Sequence, residues 1–183
     1  MRYSRNVVEK WMGCLLGGLM LLAACERVAD GPTGVVRDWA PYTSLAEGYV
    51  VFAPRKLTVS EIKVPTPVGE MKIPVTYFMV DNNIFYVSSH PRDARMGGTD
   101  EQILDAQAQG ILAKFEKVEV RREPFVSRGR RGLRLLLTRP DSYKIVELYV
   151  TPSTLYQVVT DLPSSHAAQI DSFLFRATFT ILK

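Results

Sequence analysis

The chain has two histidines, and they are the first candidates for chemistry. His90 stands before Pro91 at the end of an apolar run, and His166 falls in the first turn of a C-terminal helical pattern. Either one, joined by Asp93 or Asp171, would supply part of a metal site. The spacing argues against it. No His-x-x-His or His-Glu-x-x-His occurs, and a metal needs several converging donors. Serines are plentiful, so a serine, a histidine and an acid are all present, but no Gly-x-Ser-x-Gly elbow organises them. Gly97-Gly98-Thr99 opens a helix, and helix N-termini can hold anions. It lacks the lysine of a phosphate loop and the Gly-x-Gly-x-x-Gly of a dinucleotide site. These residues read as surface histidines and as a loop with a helix cap. No catalytic residue, metal or cofactor is expected.

The strongest charge feature is Arg121, Arg122, Arg128, Arg130, Arg131 and Arg134, with Arg139 beyond them. The planar guanidinium fork suits carboxylates and phosphates. On a hairpin these residues would form a basic edge. One reading is contact with an acidic partner or with anionic lipid headgroups. The other is that charge on an edge strand discourages edge-to-edge pairing. The aromatics Tyr77, Phe78, Phe85, Tyr86, Tyr149 and Tyr156 read as core and sheet faces.

Thiol chemistry is confined to Cys14 and Cys25. The segment Met1–Trp11 carries Arg2, Arg5 and Lys10 against Glu9, and Met12–Ala24 is uncharged. A basic stretch followed by a short apolar run is the pattern of an export signal. The run falls short of the roughly 20 apolar residues that span a bilayer. Leu22-Ala23-Ala24-Cys25 closes it and resembles the lipobox of bacterial lipoproteins. That resemblance implies cleavage before Cys25, diacylglycerol on its sulfur, and two or three acyl chains holding the protein to a membrane. Glu26 is not the aspartate that often retains lipoproteins in the inner membrane. In a Gram-negative cell this favours the periplasmic face of the outer membrane.

The full chain has 183 residues and a formal net charge of +4. Losing residues 1–24 removes three basic residues and one acidic one and leaves a net charge of +2. Such mild basicity, with export, argues against nucleic-acid binding. The remaining length suits one domain with its own core. With Cys14 removed and Cys25 acylated, no disulfide staples it, so its stability must come from packing.

The elements that would hold these residues follow from pattern. Residues 25–48 mix Gly31, Pro32, Gly34 and Pro41 and read as a lipidated tether, a coil of about 25 Å. Trp39 and Tyr42 either pack on the domain or sit at the lipid interface. A domain over 49–183 starts at Tyr49-Val50-Val51-Phe52. Strands are expected over Leu57–Val64, Glu70–Val80 and Ile84–Ser88, the last two joined by Asp81-Asn82-Asn83. Thr99 and Gln102 form a capping box for a helix with Leu104, Ala108, Ile111, Leu112 and Phe115 as its apolar stripe. Gly110 in that helix suggests a close approach to a sheet. Further strands are expected over Lys117–Arg122, Leu133–Thr138, Tyr143–Val150 and Leu155–Thr160, with a turn at Arg128–Gly132. A last helix would bury Ile170, Phe173 and Leu174. This order predicts an α+β domain, an antiparallel sheet of about six strands with helices packed on its faces.

The order resembles the family of small exported proteins related to PsbP and to the DcrB-type bacterial lipoproteins, over roughly residues 48–180. The matching cues are Tyr49 to Pro54 at the start, Asp105-Ala106 and Gly110 in the middle helix, and the Gly129–Gly132 turn. Tyr149, Tyr156 and Ile170-Asp171-Ser172-Phe173 complete them. The resemblance implies a PsbP-like α/β/α sandwich and a non-enzymatic role in binding or supporting another protein. It implies no catalytic residue, and fold alone does not give function. The expectation is a membrane-attached accessory module with a protein partner. Two alternatives stay open: a carrier or sensor of a small apolar ligand, and a hydrolase with a dispersed site.

Overall fold

The computed structural model describes residues 39–66, 69–80, 82–92, 98–115, 118–163 and 166–182. Cys25 and the rest of the lipobox lie outside them, as do Asp93 and Gly97. Seven strands, the inner ones buried on both faces, pair antiparallel throughout. They are β3 (Thr58–Thr66), β4 (Gly69–Val80), β5 (Asn83–Pro91), β6 (Glu119–Ser127), β7 (Arg130–Thr138), β8 (Ser142–Val150) and β9 (Thr154–Pro163). Their order is β3-β4-β5-β9-β8-β7-β6, one strand more than expected. A second sheet holds β1 (Trp39–Ser44), β2 (Tyr49–Pro54) and the short β10 (Thr180–Ile181).

Two helices are described. The first, α1 (Asp100–Leu112), packs on β7 and β8. It buries Ile103, Leu104, Ala108 and Ile111 on one face of the main sheet, against Leu133, Leu135, Leu137 and Leu148. Gly110 is buried as well. The capping box forms as expected: Thr99 Oγ1 accepts from Gln102 N at 3.3 Å, and Gln102 Oε1 accepts from Thr99 N at 2.9 Å. Burying each large apolar side chain stabilises the layer by about 1.5–3 kcal/mol.

The opposite face is covered by α2 (His166–Thr178) together with the small sheet. Phe78 and Phe85 stack with centroids 4.8 Å apart, and Phe175 meets both edge-on. This layer is therefore a helix and a sheet side by side, which differs from a plain α/β/α sandwich. Of the expected inward stripe, the Ile170 side chain lies outside the described residues, and Phe173 and Leu174 turn outward. Ser172, Phe175 and the following Phe179 are buried, whereas Phe173 is 64% and Leu174 40% exposed. The helix carries two apolar stripes, and the one with the small Ser172 lies against Thr160.

The stretch 25–48 read as a tether runs into the fold. From Trp39 onward it forms β1, which pairs with β2 from Trp39↔Pro54 to Ser44↔Tyr49. The Trp39 ring packs edge-on against Phe78 and Phe85, which gives the segment apolar burial that a free linker lacks. The other side of β2 takes β10. Phe52 N donates to Thr178 Oγ1 at 3.0 Å across 126 residues of chain.

Candidate functional site

The arginines lie on and beside a tight hairpin at one edge of the main sheet. The turn is only Arg128-Gly129, both in the left-handed region at φ 50° and 77°. That is the geometry a two-residue hairpin demands, and glycine reaches it without strain. The β6 strand thus runs on to Ser127, well past Arg122. Alternation divides the arginines between faces. Arg121 sits opposite Leu136 and Glu123 opposite Arg134, on the α2 side. Arg122 sits opposite Leu135 and Val126 opposite Arg131, on the α1 side.

Acids of the same chain meet most of them. Arg121 pairs with Glu123 at 2.6 Å on the exposed edge, Arg122 with Asp105 of α1, and Arg131 with Glu101 of α1 at 3.4 Å. Exposed pairs of this kind stabilise by about 0–1 kcal/mol each. The Arg122 and Arg131 pairs tie the hairpin to the helix. Arg134 lies over the Phe125 ring at 5.1 Å, and Arg139 over Phe115 at 5.4 Å. The six candidate arginines are brought to one hairpin, but not to one surface.

Between α1 and this hairpin lies an open groove of about 510 Å³, lined by Glu101, Leu104, Asp105, Phe125, Arg131 and Leu133. Its floor is apolar and its rim carries both signs of charge. The neighbouring Gly132 lets the Phe125 ring cross over the backbone. A Cβ there would meet Phe125 Cζ at 2.6 Å and the Leu148 carbonyl at 2.7 Å.

Behind the hairpin, on the α2 side, is a centre that the sequence reading missed. Glu147 is 2% exposed. Its Oε1 accepts from Arg134 Nε at 2.9 Å and Arg176 Nη1 at 2.9 Å, and its Oε2 from Tyr149 Oη at 2.9 Å. Arg176 Nε also donates to Ser172 Oγ at 3.3 Å, and Ser172 Oγ lies 2.9 Å from Thr160 Oγ1. Burial, and then the Glu147 charge, push the Tyr149 hydroxyl pKa up. The network joins β7, β8 and β9 to α2. Every acidic oxygen in it is occupied, so it holds the layers together and offers no free base. A lone glutamate inside the apolar run Ile145-Val146-Glu147-Leu148-Tyr149-Val150 was the available clue.

His90 is 5% exposed, where a surface histidine was expected. Burial lowers its pKa to about 4, so the ring is neutral at pH 7. Its Nε2 lies 3.2 Å from Ser88 Oγ, while its buried Nδ1 has no hydrogen-bond partner. A serine triad needs an acid at that nitrogen. Asp171 is in the α2 layer, across the sheet from His90, so the two do not meet. His166 begins α2, and its side chain is outside the description. Among the described residues no three of His, Cys, Asp and Glu gather as a metal site. The α1 N-terminus is taken by its own cap and by Asp100, which receives Arg92 at 2.9 Å. No described helix is long and apolar enough to cross a membrane.

No family model matches the sequence, and no curated protein matches it. Among solved structures, the chain is similar to the solution structure of cyanobacterial PsbP (CyanoP) from Synechocystis sp. PCC 6803, with a TM-score of 0.52 at 10% identity. The match covers 84% of this chain and 98% of that one. The fold is therefore PsbP-like: a mostly antiparallel α+β domain with the helices on its sheet.

Proposed function

We propose that this is a lipid-anchored protein of the cell envelope, acting without catalysis as an accessory module for a protein partner. The observation that carries the reading is the groove between α1 and the β6–β7 hairpin. It is open, apolar at the floor and rimmed by Glu101, Asp105 and Arg131. A rim of both charges over an apolar floor suits a polypeptide segment better than a small apolar molecule. The hairpin arginines are largely engaged by acids of the same chain, so they frame the groove rather than offer a free basic face. Among the described residues, no acid stands at His90 Nδ1 to complete a hydrolytic site with Ser88. The PsbP-like fold gives such a module precedent only by analogy.

The lipid anchor rests on Leu22-Ala23-Ala24-Cys25 and the basic and apolar segments before it. Replacing Cys25→Ser is expected to move the protein from the membrane to the soluble fraction with its fold intact. An unchanged membrane fraction refutes the anchor. For the partner, cross-linking in detergent extract from a label at Val126, 69% exposed beside the groove, is expected to capture one protein in stoichiometric yield. Recovery of a co-purified small molecule and no protein refutes the module reading.

A further inference from the structure

Among the described residues, the outward stripe of α2 is left largely uncovered. Phe173 and Leu174 are exposed, and Ala177 extends the same stripe one turn on. Single exposed apolar residues need no explanation, but a concentration of them does. The large apolar side chains exposed among the described residues are Leu45, Val59, Met79, Val120, Val126, Phe173, Leu174 and Leu182. Half of them, Leu45, Phe173, Leu174 and Leu182, belong to the layer formed by α2 and the small sheet. Leu182 N donates to Gly48 O at 2.8 Å, which brings the end of β10 to the turn that holds Leu45.

The same layer is where the chain enters the domain. Trp39, the first described residue, sits on Phe78 and Phe85 beside Phe175 of α2. Residues 26–38 separate it from Cys25. Even fully extended, that length spans at most about 45 Å. An anchor at Cys25 therefore holds the domain close to the lipid, with the chain entering it from the α2 layer. From this we infer that α2 rests on the membrane surface that holds Cys25, with Phe173 and Leu174 inserted among the outer acyl-chain segments. Such shallow insertion is how apolar helix faces bind an interface. The inference builds on the lipid-anchor reading above. It also orients the module, because the groove beside α1 then faces away from the membrane, where a partner can reach it.

Spin labelling tests this in the lipidated chain reconstituted into phosphatidylcholine vesicles. Phe173→Cys and, separately, Leu174→Cys introduce a thiol where Cys25 is already acylated. Val126→Cys on the opposite face serves as the reference. The expected result is that labels at 173 and 174 gain oxygen access and lose most of their access to a polar nickel complex, while the label at 126 keeps it. Equal nickel access at all three sites, with the protein still in the vesicle fraction, overturns membrane docking and leaves the anchor reading standing. Dipolar broadening between labels at 173 shows a second copy covering the helix and also overturns it. Protein absent from the vesicle fraction defeats the anchor reading itself.

Discussion

Glu147 carries more of the architecture than any residue the sequence singled out. It neutralises two guanidinium groups, from β7 and from α2, while almost wholly removed from water. Removing one partner from a buried ion network costs about 3–5 kcal/mol, because the remaining charges lose their compensation. Glu147→Ala should therefore lower stability by about that amount in urea unfolding. Combining Glu147→Leu with Arg176→Leu should recover part of it. His90 makes a second prediction. Its folded pKa, about 4, lies below the ordinary value of 6.5, so the folded state binds fewer protons in between. Stability is then fully present above pH 6.5 and is lost as pH falls toward 4, by about 3 kcal/mol in all. His90→Leu should flatten the unfolding midpoint across that window, and an unchanged slope would rule His90 out as its source. Neither role was legible in sequence. A periodic pattern marks position 147 as inward without revealing which arginines meet it, and a lone histidine beside proline looks the same buried or exposed.

At the level of elements, local chemistry was readable where it is self-contained. The Thr99–Gln102 capping box needs only four consecutive residues, and Asn82 takes its positive φ of 64° from the hairpin alone. The α2 face was not readable for the opposite reason. Ile170, Phe173 and Leu174 form one helical stripe, and Ser172, Phe175 and Phe179 form another. Only the sheet decides which residues are covered: Phe173 and Leu174 are left outside, and the small Ser172 fits beside Thr160. The β6–β7 hairpin is longer than its expected strands, and β6 runs on through Pro124 to Ser127. On an edge strand that proline costs no ladder bond that a neighbour needs. Gly132 tests how closely this hairpin packs. Gly132→Ala should destabilise by about 1–3 kcal/mol in thermal melts, because its methyl group meets both an aromatic ring and a backbone carbonyl.

For the molecule as a whole, the α+β antiparallel plan was legible, and its N-terminal limit was not. Gly and Pro density made residues 25–48 look like one linker, yet Trp39–Ser44 completes the small sheet. A chain beginning at Trp39 is the reference for this. One beginning at Leu45 should lose about 3 kcal/mol, since it strips Trp39 from Phe78 and Phe85 and opens the edge of β2. Equal unfolding midpoints for the two would return β1 to the linker. The link from Phe52 to Thr178 across 126 residues has a consequence in time. At about 5–20 residues per second, β2 leaves the ribosome roughly 6–25 s before the segment that completes its sheet. In that interval it has only β1 to pair with, and a lone two-stranded hairpin is marginal in water. The layer that carries the outward face of α2 is therefore the last to assemble, and the nascent chain keeps an unfolded, threadable N-terminal portion through most of its synthesis.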